Sequence, residues 1–310
     1  MIVTNRLSIM PHILPFFALA MVVGGSIAQG QGSPRPAVGV ADSLVVTTEW
    51  LATHLTDPKV VVVEVVDAPD KRVDRIPGSR ELFYRRMVVV RDSVSSELPS
   101  TDLLKGLFES IGISDDSRVV VYASEAPMAT RLLMTLTYFG HAKVSYLDGG
   151  LPKWVSEKRP VVQSDAAVTR GALTVRVRPE IIVDADWITS RVGKPGLRLI
   201  DTRTLGEFNG TGNRSGMPSA GHLQGARNLE WEWLFREDQP LLLKDRAALI
   251  ALYGANITPN EAVVTYCWVG YRASATWFAA TYLGFDAKLY DGSYQDWQRR
   301  KLPTTAGSSP

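Results

Sequence analysis

The sequence predicts an α/β chain: two tandem copies of one domain, each a mostly parallel sheet flanked by helices. Three observations carry that prediction. Short runs such as Val60–Val66 and Arg118–Tyr122 are almost continuously apolar, as strands covered on both faces must be. Longer helical patterns follow them, Ala129–Phe139 and Ala273–Leu283, each ending at a glycine (Gly140, Gly284) suited to a helix C-terminus. The order of these segments then occurs twice, and strand–helix alternation at this spacing is the mark of a parallel sheet. With 310 residues, 45% of them hydrophobic and 21% charged, the chain has room for two cores at roughly 100–200 residues per domain.

The elements read as follows from the amino terminus. Arg6 precedes the apolar run Ile13–Val23, and small residues stand at Ser26 and Ala28. This is the pattern of an export signal over residues 1–28, cleaved near Ala28; the run is short for a membrane span and has prolines beside it. The expected product is exported, periplasmic or secreted, with Gln29–Ala41 a flexible lead-in. The first copy is expected over 42–160, a linker over 161–179 and the second copy over 180–304. Each copy opens on a capped helix start, Thr47-Thr48-Glu49-Trp50 and Asp184-Ala185-Asp186-Trp187. Then Val60–Val65 matches Leu197–Thr202, Ile76-Pro77-Gly78 matches Leu223-Gln224-Gly225, and Leu107–Ile113 matches Leu252–Ile257. Finally Leu147-Asp148-Gly149-Gly150 and Trp154 match Tyr290-Asp291-Gly292-Ser293 and Trp297. The offset drifts only between 137 and 147 residues, as small loop insertions produce.

Charge and cysteine count exclude several functions. The 34 basic and 32 acidic residues provide no strongly basic field for nucleic acid. One cysteine rules out an intramolecular disulfide, and with four scattered histidines it gives no metal signature. In an exported chain a single thiol is either buried and inert or kept for chemistry.

Its position favours chemistry. Each copy has a buried strand ending in tyrosine, then a loop, then a helix. The first copy continues as Ala123-Ser124-Glu125-Ala126-Pro127-Met128, the second as Cys267-Trp268-Val269-Gly270-Tyr271-Arg272. The thiol therefore sits at the carboxyl end of a strand and just before a helix N-terminus, where open α/β sheets bind ligands and where the field favours thiolate. Arg272 adds a fixed positive charge.

These residues resemble the active-site loop of the tandem-domain rhodaneses, the thiosulfate and 3-mercaptopyruvate sulfurtransferases. The resemblance runs from about Val45 to Pro303. It includes Asp201-Thr202-Arg203 with Glu207-Phe208, Gly221–Ala226, and the paired Asp-Gly and Trp motifs of both copies. It implies a catalytic Cys267 that carries sulfur as a persulfide in a ping-pong cycle, moving the sulfane sulfur of thiosulfate to cyanide or a thiol. The loop from Trp268 through Val269, Gly270 and Tyr271 to Arg272 would hold the persulfide, with Arg272 and Arg203 binding the donor. An ion pair of Arg203 with Glu207 is the other reading, and the two can coexist. It implies an inactive first copy, no cofactor, no metal, small-molecule partners and a monomer free of membrane and nucleic acid. Mercaptopyruvate enzymes carry a Cys-Gly-Ser/Ala-Gly-Val-Thr type of loop; Trp268 and Arg272 depart from it, and a cationic Arg suits a dianion such as thiosulfate.

Other residues have plainer readings. His222 reads as part of a turn, Asp148-Gly149 and Asp291-Gly292 as turns, and Trp231 and Trp233 as packing or cleft wall. Two other classes of function are open. A phosphatase uses a Cys-loop-Arg cradle with five intervening residues, against four here. A non-turnover sulfur carrier would show the same loop.

Overall fold

The computed structural model describes residues 43–68, 74–164, 166–214, 217–218, 221–254 and 261–308, all within one compact unit, Pro36–Pro310. The predicted export signal and lead-in, and part of the Leu252–Ile257 motif, lie outside the described residues.

The first copy contributes β1 (Val45–Val46), β2 (Val60–Val66), β3 (Arg80–Phe83), a hairpin of β4 (Val89–Arg91) and β5 (Val94–Glu97), β6 (Arg118–Ala123) and β7 (Val144–Leu147). The second contributes β8 (Ile182–Val183), β9 (Leu197–Asp201), β10 (Asn213–Arg214), β11 (Met217–Pro218), β12 (His222–Leu223), β13 (Ala226–Asn228), β14 (Ala262–Tyr266), β15 (Asp286–Tyr290) and β16 (Thr304–Thr305). Two five-stranded sheets result, β1-β7-β6-β2-β3 and β8-β15-β14-β9-β13, parallel at every pairing and identical in topology. Central strands register Val62 with Val120 and Leu199 with Val264, so the near-continuous apolar runs are covered on both faces as expected.

The helices are α1 (Thr48–His54), α2 (Thr101–Ser110), α3 (Ala126–Tyr138), α4 (Gly150–Ser156), α5 (Ala185–Thr189), α6 (Leu205–Asn209), α7 (Arg246–Gly254), α8 (Ala273–Leu283) and α9 (Ser293–Arg299). Thr47 and Asp184 cap α1 and α5 by accepting from the N–H groups of Trp50 and Trp187. Helix α3 starts three residues before the sequence pattern suggests, because Pro127 in its first turn needs no backbone donor. The repeat is also written in side-chain bonds. Tyr122 Oη accepts from Ile76 N–H at 3.2 Å and Tyr266 Oη from Leu223 N–H at 3.1 Å. Trp154 and Trp297 each donate to the carbonyl of a proline six residues on.

The two copies share one core. Helix α8 is buried along Ala273–Ala280, with polar side chains only at Ser274 and Thr276, as a helix covered on several sides is. It packs on α3 of the first copy, where Thr130 Oγ1 and Ser274 Oγ lie 2.9 Å apart, and Leu132, Leu133, Ala275 and Phe278 belong to one apolar cluster. The two Asp-Gly motifs turn the chain as expected, and each also crosses between the copies. Asp148 accepts from Leu243 N–H at 2.9 Å, and Asp291 from Leu98 N–H at 3.2 Å.

The segment assigned to a linker is strapped to the first copy. Val162 bridges Arg75, Gly171 N–H donates to Glu109 O at 2.8 Å, and Arg176 N–H to Phe139 O at 2.9 Å. A Cβ on Gly171 would lie 2.1 Å from the Ile113 carbonyl, so only glycine permits this approach. No helix among the described residues is long and apolar enough to cross a membrane.

Candidate active site

The parallel sheet of the second copy delivers Cys267 immediately after β14, at the carboxyl end of a central strand. The residue is fully buried. Its N–H donates to Ser293 Oγ at 3.2 Å, and its carbonyl accepts from Tyr294 N–H at 3.1 Å. Ser293 Oγ in turn donates to Tyr290 O at 2.7 Å, and Ser293 adopts φ +52°. A positive φ at a serine costs about 1 kcal/mol, and here it is held by the first turn of α9 under the thiol loop.

The loop turns back at Gly270, φ +74°, and runs into α8 at Arg272. A Cβ on Gly270 would lie 2.8 Å from the Asp291 carbonyl and 3.0 Å from Arg131 Nη1. Trp268 is half-buried and packs on Tyr294, with centroids 5.2 Å apart, and its carbonyl accepts from Gln295 N–H. Val269 is half-buried as well. Tyr271 reaches into the first copy, where its hydroxyl donates to Glu125 at 2.9 Å and its ring meets the edge of Tyr84. Among the described residues, the backbone N–H groups of Trp268, Val269, Gly270, Tyr271 and Arg272 donate to no protein acceptor. Five successive donors around a thiol form a cradle for negative charge.

Three arginines are held here by carboxylates: Arg272 at the end of the loop, Arg131 against Gly270, and Arg203 against the Tyr294 ring. Arg272 is bidentate with Glu207 at 2.8 and 3.0 Å. Burial by itself would raise the Glu207 pKa, but the bonds from Arg272 and Thr204 outweigh it and pull it down to about 2. Glu207 also closes the capping box of α6 with Thr204. Arg203 is fully buried, bonded to Asp201 at 2.6 Å and to the Gly221 carbonyl at 2.8 Å, with its guanidinium 3.9 Å from the Tyr294 ring centre. The carboxylate on Arg203 is thus Asp201, two residues before it. Glu207, the partner considered from the sequence, is engaged by Arg272, because α6 turns it toward the loop.

The third arginine, Arg131 of the first copy, is not singled out by the sequence. It is fully buried and pairs with Asp291 at 2.6 Å. Its motif carries no local signature, and only the packing of α3 on α8 brings it to the thiol. Asp291 carries no functional signal in the sequence either, since a motif present in both copies reads as a turn. His222 stands on β12 and not in a turn. It is fully buried, its ring stacked on Phe208 at 3.7 Å, and Nδ1 lies 2.9 Å from the Phe208 carbonyl, which can only accept. Trp231 packs on Phe235, whereas Trp233 is 42% exposed beside a small cavity of about 280 Å³.

Two parallel-sheet copies, with a buried thiol in an N–H-lined loop on the second alone, define a tandem α/β protein built for chemistry on a sulfur atom. The model described as the Rhodanese-like domain matches residues 47–157 and 184–300, and the chain belongs to that family. It is a sulfurtransferase of the rhodanese type. It is 34% identical over 274 residues to "Sulfur carrier protein TtuD" of Thermus thermophilus, covering 82% of this chain and 93% of that one. It is 30% identical over 257 residues to "Thiosulfate sulfurtransferase" of Pseudomonas aeruginosa, again covering 82% and 93%. Among solved structures, that of SseA from Escherichia coli, titled for the rhodanese fold and catalytic mechanism of 3-mercaptopyruvate sulfotransferases, matches in fold. Its TM-score is 0.69 at 24% identity, covering 81% of this chain and 98% of that one.

Proposed function

We propose that the protein transfers the sulfane sulfur of thiosulfate to a thiophilic acceptor through a persulfide on Cys267. The observation that carries this reading is the row of unspent N–H groups from Trp268 to Arg272 around the only thiol of the chain. The Cys267 thiolate attacks the outer sulfur of thiosulfate: a new S–S bond forms, the S–S bond of the donor breaks, and its electron pair leaves with sulfite. An acceptor, cyanide or a thiolate, then attacks the outer persulfide sulfur, and the Cys267 thiolate is regenerated. The loop donors stabilise the anionic persulfide at a buried sulfur, where such bonds are strong. Arg272 and Arg203 hold the donor electrostatically through charges already positioned by Glu207 and Asp201. Because a relative at 30% identity bears the name thiosulfate sulfurtransferase, thiosulfate is the first donor to test.

A second reading is that Cys267 carries sulfur to a protein partner and turns over slowly with small acceptors. The 34%-identical relative named as a sulfur carrier favours it. In either reading the protein acts after export, for which the Arg6-led apolar run and Ala28 are the support.

The test is thiocyanate formation from thiosulfate and cyanide by purified protein, with Cys267→Ser alongside. Turnover lost in the variant, by about 1,000-fold or more, is expected. Activity with 3-mercaptopyruvate alone would keep the nucleophile and displace thiosulfate. Stoichiometric loading of Cys267 without turnover would favour the carrier, and no loading from either donor would overturn both readings.

A further inference from the structure

Arg131 belongs to the copy that has no thiol, yet it is built into the thiol site of the other. Its guanidinium is fully buried. One nitrogen, Nη2, is committed: it lies 2.6 Å from Asp291 Oδ1 and donates to the Ser96 carbonyl at 2.7 Å. The Nε and Nη1 atoms are buried and have no hydrogen-bond partner among the described residues. Most buried N–H groups are hydrogen-bonded, since each one left unmade costs about 1–3 kcal/mol; Arg118 leaves a single nitrogen, Nε, without such a bond, whereas Arg131 leaves two. Arg272, by contrast, meets Glu207 through both terminal nitrogens, and Arg203 is engaged by Asp201 and Gly221.

One of the two unspent atoms is placed against the loop that carries Cys267. Nη1 stands 3.0 Å from the point where a Cβ of Gly270 would be, with the carbonyl oxygen and Oδ1 of Asp291 at 2.8 and 2.9 Å from the same point, so the guanidinium packs against the loop at the residue that lacks a side chain. Arg131 interacts electrostatically with Cys267 and with the hydroxyl of Tyr84, which with Glu125 faces the loop from the first copy. We propose that Arg131 is an anion-binding residue of the active site, supplying Nε–H and Nη1–H to the anionic end of the sulfur donor as it approaches Cys267. Asp291 positions this guanidinium and tempers its charge. The copy without a thiol thereby sets the charge preference of the donor. The identity of the donor rests on the function proposed above; the anion preference of the site does not.

The experiment therefore uses alkylation of Cys267, which needs no sulfur chemistry, comparing anionic iodoacetate with neutral iodoacetamide. The ratio of their rates cancels changes in thiol reactivity. In Arg131→Gln the iodoacetate-to-iodoacetamide ratio is expected to fall at least about 5-fold. In Asp291→Asn, whose amide oxygen still accepts from Leu98, it is expected to rise, because the Arg131 charge is no longer opposed. Arg131→Lys is expected to keep the ratio within about 2-fold, a lysine retaining the point charge. A purely structural role would lower both rates together, or move R131Q and D291N the same way, and either result overturns the proposal. If R131Q does not fold, the sign of the D291N change decides alone. A fallen ratio in a protein that transfers no sulfur would leave Arg131 standing and remove only the reading of the reaction.

Discussion

Glu207 shows how much one buried carboxylate controls. It neutralises Arg272, caps α6 and is 3% exposed, so replacing it leaves a buried guanidinium with less compensation. Glu207→Gln is expected to cost about 3 kcal/mol at pH 7, measured by urea denaturation. The pH dependence follows from its pKa, about 2 in the fold against an ordinary 4.5. A depressed carboxylate stabilises the fold above its unfolded pKa, and that contribution is lost as pH falls from about 4.5 toward 2. The stability gap between wild type and E207Q should therefore narrow across that window; a gap constant with pH would contradict the ion pair. Arg203 invites a comparison between copies. Glu64 on β2 registers with Tyr122 as Asp201 on β9 registers with Tyr266, and Arg75 lies 3.8 Å from Glu64 as Arg203 lies 2.6 Å from Asp201. A buried arginine beside the strand carboxylate thus occurs in the copy without a thiol too, so part of the Arg203–Asp201 pair serves the fold.

At the scale of elements, the catalytic loop is a short bridge pinned at both ends. Tyr266 anchors its start through Leu223, and α8 anchors its end. Gly270 has neither the torsional nor the spatial freedom to become another residue. Its φ of +74° costs a side chain about 1–2 kcal/mol, and a Cβ would sit 2.8 Å from backbone that cannot withdraw. Gly270→Ala is accordingly expected to lower sulfur transfer by at least about 10-fold, with a melting temperature several degrees lower. Wild-type turnover in this variant would show that the loop need not hold its present turn. The strands and helices themselves were legible in the sequence, since Val60–Val66 and Ala273–Leu283 carry apolar patterns that follow directly from backbone periodicity. The start of α3 was less so, because Pro127 reads as a break although a first turn accommodates it.

At the scale of the molecule, the two copies do not behave as beads on a string. Their cores merge through α3 and α8, Asp148 and Asp291 cross in both directions, and the hydroxyl of Tyr146 donates to Leu241 O at 2.8 Å. One cooperative unfolding transition is expected, with tryptophan fluorescence and far-UV circular dichroism coincident in urea. Two separated transitions would show that the shared cluster is not a single energetic unit.

The sequence alone determined the class of fold, the duplication, the position of the thiol on a strand end and the loop that follows it. These are local: apolar periodicity, glycine punctuation and chain order are all written along the backbone. The partners of the charged groups were decided only in three dimensions. Whether Glu207 meets Arg203 or Arg272 depends on the turn made by α6. Whether Arg131 has any bearing on Cys267 depends on two helices from different copies packing face to face. A charge acts through space on whatever the fold brings near, and no spacing along the chain records that distance.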